Sequence, residues 1–493
     1  MKKNAKILMG ILIPIGLIGS TAGITYAVLN RNNKNYTNYE TKMNYDNLIL
    51  PTEGSNDGID SLLDQADLKV FYCPGVQPFN DSLKLAMMSH KQVEYIYSPN
   101  ISDLVYQDSI VKEKLLDFLK NNRKNIGKTT EEKQEIEKLQ KASNVYRISS
   151  SNLLDQLYKI PNYIINLIKE NTNKKINVWV NSYHAKSKLW INMSTFKNVK
   201  VLAINDSNSI IRNWKTELIS NLKTYLDLEN AENNSEPQTF WWKEKYILIP
   251  NFYKNYYQFY HDKKGVEELR KYGADIYPFS YKEEYEIKNE FFNARDKDNK
   301  RLAMTWWSEV TTNNWKTEVK KIKDAMDKNN KENLIYLGSN SPTIEKNHIL
   351  SLYKKYKNKY NIIYKGHPGH ITVDQFLKDK VNQYKEIEYF NIYSKKRETI
   401  KLDNNDQIII LNNQIQSEEI TTNHINEGDK VKIHKWASCH YATSAFKGLQ
   451  NGFNKIDDVV MAGIDLSKED APFVDIDNKD SEEWKKFVEK WGF

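Results

Sequence analysis

The stretch Ile176–Asp206 reads INVWVNSYHAKSKLWINMSTFKNVKVLAIND. It holds two short apolar runs, Ile176–Val180 and Val199–Ile204, with a helical pattern near residues 184–195 between them. Runs of this length, rich in Val and Ile, suit buried strands. A strand, a helix and a second strand in so few residues imply two parallel strands with a helix laid across them.

The same alternation extends to both sides. Leu68–Tyr72 and Val93–Tyr97 read as strands, with helices near 103–120, 130–142 and 151–169. Tyr246–Ile249 and Asp275–Pro278 complete a first group of strands. The pattern then restarts with a strand at Leu302–Trp307, the helix Trp315–Lys328, the strand Leu334–Gly338 and the helix Glu345–Tyr356. It continues through the strand Asn361–Lys365, the helix Val373–Tyr384 and strands near Ile387–Tyr393 and Gln407–Leu411. Such alternation predicts an α/β protein of two Rossmann-like lobes, each a parallel sheet covered by helices on both faces, with a cleft between them. The charged stretch Glu283–Lys300 marks the boundary. The expected division is 1–35 anchor, 36–65 tether, 66–285 first lobe, 286–465 second lobe and 466–493 a terminal helix.

The chain has 493 residues, 40% hydrophobic and 28% charged, which is globular composition. Its net charge of +8 comes from 72 basic and 64 acidic residues that are interspersed along the sequence, an argument against nucleic-acid binding. Cys73 and Cys439 form neither a zinc motif nor a disulfide framework. Ile7–Leu29 carry no charge and follow Lys2, Lys3 and Lys6. As a helix they would rise about 34 Å, enough to cross a bilayer core of about 30 Å. The expectation is one membrane-spanning anchor with the body outside the cell, in preference to a signal peptide cleaved after Thr25-Tyr26-Ala27.

Three runs carry candidate chemistry. Lys365-Gly366-His367-Pro368-Gly369 follows an apolar strand, where glycines let backbone approach a phosphate and Lys and His supply charge. A structural turn is the competing reading. Asn205-Asp206-Ser207-Asn208 follows the strand Val199–Ile204, which places Asp206 as a general base or as an Asx-turn residue. Trp436-Ala437-Ser438-Cys439-His440-Tyr441 offers hydroxyls at a helix start, for an anion or for a simple N-cap. The aromatic stretch Thr239–Tyr260, with Trp241, Trp242, Tyr253, Tyr256 and Tyr257, suits a core better than a sugar-stacking platform, and Trp306 and Trp307 are read the same way.

Together the three runs resemble the multifunctional bacterial sialyltransferases, two-lobed glycosyltransferases of the GT-B type that use CMP-activated sialic acid. That family carries Asp-Asp-Gly in its first lobe, Lys-Gly-His-Pro in its second and a Ser-Ser pair near its C-terminus. Here Asp206 stands at the position of the catalytic base, Lys365, Gly366, His367 and Pro368 match the second run, and Ser438-Cys439 resembles the pair with one Ser replaced. Gly338-Ser339-Asn340 is similar to the loop facing the donor, His184 to a first-lobe histidine reaching the nucleotide sugar, and Glu418 to the glutamate that holds cytidine. The likeness covers about residues 176–445. It departs at Asn205 and Ser207, at Gly369-His370, and in roughly 24 extra residues between His367 and Glu418, assigned to the charged loop Ser394–Asp406.

The resemblance implies an inverting transfer from a nucleotide-sugar donor to a glycan acceptor, with Asp206 as base and His367 and Lys365 on the leaving phosphate, helped by Ser438 and a helix N-terminus. It implies no metal and no other cofactor. Alternatives are a transferase using another donor such as a CDP-polyol, and a non-catalytic surface glycan-binding protein or adhesin on the same fold.

Overall fold

The computed structural model describes residues 42–51, 58–73, 76–97, 108–121, 129–147, 159–181, 188–205, 247, 249–260, 263–271, 273–279, 315–338, 342–367, 371–403, 406–413, 433–438 and 459–461, with 480, 482 and 485. They form a mixed α/β structure built on two parallel sheets and one antiparallel hairpin.

The first sheet has seven strands: β1 (Leu68–Tyr72), β2 (Gln92–Tyr97), β3 (Asn144–Arg147), β4 (Ile176–Asn181), β5 (Val199–Ile204), β6 (Tyr256–Tyr260) and β7 (Tyr277–Pro278). They lie in the order β3-β2-β1-β4-β5-β6-β7, every pair parallel. The chain builds outward from β1 through β3, then returns to the other side of β1 and builds outward again. Alternate side chains fill two cores. Leu68, Val70, Tyr72, Val178, Val201 and Tyr256 enter one, and Phe71, Tyr95, Trp179, Leu202 and Phe259 the other. Both faces of the sheet's centre are therefore dry, which explains why β1, β4 and β5 read as largely apolar runs rather than alternating ones. Ring stacks add to this packing, with Phe71 against Trp179 at 5.7 Å and Tyr72 against Trp190 at 5.5 Å between centroids.

The second sheet has five strands in the order β12-β9-β8-β13-β14, all parallel. These are β8 (Glu332–Leu337), β9 (Tyr360–Lys365), β12 (Ile409–Leu411), β13 (Lys435–Ser438) and β14 (Val459–Met461). Counted in chain order within this sheet, the sequence of strands is third, second, first, fourth, fifth. That is the first sheet's order without its last two strands, and it is the doubly wound, Rossmann-like order. Helices Trp315–Asn329, Pro342–Tyr356 and Thr372–Asp379 accompany it, and one core gathers Leu334, Tyr336, Ile349, Tyr353, Ile362, Tyr364 and Trp436.

Several elements differ from expectation. Of the expected strand Tyr246–Ile249, residues 246 and 248 lie outside the described residues, Ile249 opens the short helix Ile249–Phe252, and a strand lies further on at Tyr256–Tyr260. Tyr256 and Tyr257 are buried there, so the core reading of the aromatic stretch holds for them. Strand β3 was not anticipated, because only Val145 in Asn144–Arg147 is deeply buried and the run lacks an apolar signature.

The charged segment Ser394–Asp406, expected to be a loop, contains β11 (Lys396–Ile400), paired antiparallel with β10 (Ile387–Asn391). Its turn is set by Asn391, whose side chain accepts from Tyr393 N at 2.9 Å, and by Lys395 in the left-handed region at φ 56. The hairpin is fastened to helix Pro342–Tyr356 by Asn347 Oδ1 accepting from Phe390 N (3.1 Å), Ser351 Oγ accepting from Ile392 N (3.1 Å) and the Lys354–Glu398 ion pair. Polar residues thus specify a strand whose exposed side gives no hydrophobic period.

The expected tether is also partly structured. Tyr45 and Leu48 are buried in the core that holds Phe71 and Trp179, and Ile59–Gln65 forms a 3-10 helix that buries Ile59, Leu62 and Leu63. The first unit therefore begins well before residue 66. The expected anchor Ile7–Leu29, the strand Leu302–Trp307 and Trp241, Trp242, Trp306 and Trp307 lie outside the described residues. Among the described residues no helix is long and apolar enough to cross a membrane.

Candidate functional site

In a doubly wound sheet the loops on either side of the reversal diverge and leave a crevice beyond the carboxyl ends of the central strands. In the second sheet the reversal falls between β8 and β13, with β9 on the other flank of β8. Five candidate residues from the sequence end these strands: Gly338 after β8, Lys365, Gly366 and His367 at and after β9, and Ser438 at the end of β13.

They are joined by short contacts. Gly338 N donates to Lys365 O at 2.8 Å, carrying the β8–β9 ladder one residue past the strand. Ser438 Oγ donates to Leu337 O at 2.8 Å from the opposite side. Asn413, just past β12, donates from Nδ2 to His367 O at 3.2 Å. Four strand ends are tied into one rim.

The two glycines are required by this closeness. A Cβ on Gly338 would lie 2.9 Å from His367 N, 3.0 Å from the Tyr364 hydroxyl and 3.1 Å from Glu345 Oε2. A Cβ on Gly366 would lie 2.5 Å from Asp374 Oδ2. Glu345 and Asp374 are both buried, in the first turns of the helices that follow β8 and β9. Tyr364 donates its hydroxyl to Glu345 Oε2 at 2.9 Å, and its ring stacks on Tyr336. Tyr336 shares a hydrogen bond of 3.3 Å with His348 Nδ1. Burial pushes the His348 imidazole down to about 3, so it stays neutral at ordinary pH.

Exposure separates these residues. His367 is half-buried at the rim, whereas Lys365 is 4% exposed and Ser438 is fully buried with its proton given to Leu337. Of these three described side chains, His367 accordingly has the most access to a ligand. The sequence did not single out Glu345, Tyr364, Asp374 or Asn413, because each acquires its place only when β8, β9 and β12 come side by side.

In the first sheet the reversal falls between β1 and β4. Its carboxyl ends carry buried Cys73 and Asn181, and Asn205 after β5. Asn205 N donates to Phe259 O at 3.0 Å, so the β5–β6 ladder runs up to the residue before Asp206. Burial pushes the Cys73 thiol well up, which suits a packed residue rather than a nucleophile. Asp206 and His184 lie outside the described residues, as do Ser339, Asn340, Pro368, Glu418 and Cys439. Among the described residues no group of three His, Cys, Asp or Glu side chains is placed to hold a metal ion. No protein-family model matches the chain, and no curated protein is significantly similar to it.

Proposed function

We propose that the chain is a glycosyltransferase of the GT-B type, similar to the bacterial sialyltransferases, that moves a sugar from a CMP-activated donor to a glycan acceptor. The observation that carries this reading is the meeting of Gly338, Lys365-Gly366-His367 and Ser438 on adjoining strand ends where the strand order reverses. A nucleotide phosphate is commonly held at that place in doubly wound sheets. Glycines there let the backbone come close to it.

In this reading 286–465 is the donor lobe and the unit before it the acceptor lobe, with the ligands in a cleft between them. Asp206, beyond the carboxyl end of β5, takes the proton from an acceptor hydroxyl as its oxygen attacks the anomeric carbon. The bond from that carbon to the CMP phosphate oxygen breaks on the opposite face, so configuration inverts. His367 hydrogen-bonds the departing phosphate and stabilises its charge. The chain's own residues supply every step. Ile7–Leu29 anchor the protein in a membrane with the body outside.

A non-catalytic glycan-binding role draws on the burial of Lys365 and Ser438, which leaves fewer donors for a phosphate. CMP release from CMP-sialic acid in the presence of glycan acceptors separates the two. Turnover by the wild type and a fall of roughly 10²–10⁴-fold in Asp206→Asn, with unchanged thermal unfolding, support transfer. Glycan binding without CMP release overturns it.

A further inference from the structure

The amino edge of the first sheet forms a surface that the transferase reading does not use. Because its seven strands are parallel, the loops that enter them gather along one edge. The segment Lys42–Leu50 is docked on those loops. Met43 N donates to Thr172 O at 3.0 Å and Tyr45 N to Lys197 O at 2.8 Å. Gln65 clamps Ile49 with two bonds, accepting from its N at 2.7 Å and donating to its O at 2.8 Å. The ammonium groups of Lys175 and Lys200 lie 5.7 and 5.3 Å from the centre of the Tyr45 ring. The chain thus joins the body at the edge opposite the carboxyl-end crevice.

This edge is basic, and it carries one conspicuous apolar side chain. Lys42, Lys197 and Lys254 are exposed, and Lys91, Lys174 and Lys175 are half-buried. Among the described residues of these loops the acidic ones are Asp46, Asp67 and Asp275. Ile49 is 75% exposed, the most exposed large apolar residue among those described. The lysines are scattered in sequence over more than two hundred positions, and the sheet brings them together.

The twelve residues 30–41 separate Ile7–Leu29 from the docked segment. Fully extended they reach about 40 Å. A unit of this size is about 45 Å across, so the leash holds the amino edge nearest to whatever Ile7–Leu29 is embedded in.

We infer that this amino edge is a membrane-resting face that takes an anionic lipid surface, with Ile49 in the headgroup layer and the lysines against lipid phosphates. The carboxyl ends of the first sheet then open away from the bilayer. The inference rests on the anchor reading and is independent of the transferase chemistry. Apolar contact joined to clustered lysines is the usual chemistry of peripheral association with anionic lipid.

The test uses the full chain reconstituted in vesicles of phosphatidylcholine with phosphatidylglycerol, or of phosphatidylcholine alone. An impermeant amine-acylating reagent is read out by mass spectrometry. With anionic lipid, modification of Lys42, Lys197 and Lys254 should fall roughly fivefold relative to Lys320 and Lys396 on the second unit, and the protection should weaken in phosphatidylcholine alone. In K42E/K197E/K254E, protection of Lys175 should be lost while the chain resists carbonate extraction. Equal labelling of both units in a chain that resists extraction overturns the resting face and leaves the anchor standing. Release by carbonate overturns the anchor and this inference with it.

Discussion

The two parallel sheets reverse their strand order at the same step yet finish their carboxyl ends differently. In the second, the ends of β8, β9, β12 and β13 are drawn together by backbone and side-chain hydrogen bonds, two glycines give up their Cβ to let loops close, and two carboxylates are buried beneath them. In the first, among the described residues, the corresponding ends carry buried Cys73, Asn181 and Asn205, and further polar contacts gather at the amino edge around Tyr45 and the lysines. Equal topology therefore does not make equal sites. What distinguishes them is how closely the strand ends are required to approach, and the proposed transfer accordingly takes the second sheet for the phosphate and assigns the base to the residue after β5.

The largest effect expected from breaking this contrast is at Gly338. A methyl there meets the His367 backbone and two buried side chains, so Gly338→Ala should cost about 3 kcal/mol and abolish nucleotide binding. Urea unfolding and nucleotide titration check both parts. A neutral Gly338→Ala would mean the rim is looser than described.

The two units should also respond to pH in opposite directions. Burial pushes the Glu94 carboxyl on β2 up to about 7, with the Tyr163 hydroxyl opposing. Folding thus favours its protonated form. That contribution, up to about 3 kcal/mol, is whole below the ordinary carboxylate value near 4.5 and is lost as pH rises through 7. His348 in the second unit has the reverse sign: its contribution is whole above the ordinary value near 6.5 and is lost as pH falls toward 3. Hydrogen exchange followed by peptide should show the first unit weakening from pH 5 to 8 and the second weakening below pH 6. Glu94→Gln should flatten the first slope only.

Smaller effects sharpen the contrast. Tyr364→Phe removes the hydroxyl that Glu345 accepts, with an expected loss of about 2 kcal/mol in denaturant unfolding and weaker nucleotide binding. Thr129→Ala in the first unit breaks a capping box in which Thr129 Oγ1 accepts from Glu132 N at 3.1 Å and Glu132 accepts from Thr129 N at 2.8 Å. It should cost about 1 kcal/mol and leave nucleotide binding unchanged.

Much of the fold was legible in the sequence. The apolar runs at Leu68, Val199 and Asn361 became strands at or within a residue of their expected limits, because strands buried on both faces leave continuous hydrophobic signatures. What was missed lacked that signature. Strand β3 has one deeply buried residue, and β11 is polar because only one of its sides meets protein. The Lys42–Leu50 segment docks through backbone groups and one tyrosine, which no periodicity reports. Of the candidate site, the Lys-Gly-His run could be placed from its strand. The buried partners Glu345 and Asp374 could not, since helix-start carboxylates are common and their burial depends on the neighbouring strand.

The most direct test of the central claim is calorimetric titration of CMP, alongside other nucleotides, into the full chain and into His367→Ala. Saturable binding that prefers CMP and weakens at least tenfold in His367→Ala is the predicted result. Absence of CMP binding, or CMP binding that is indifferent to His367, would contradict a donor site at the carboxyl ends of β8 and β9.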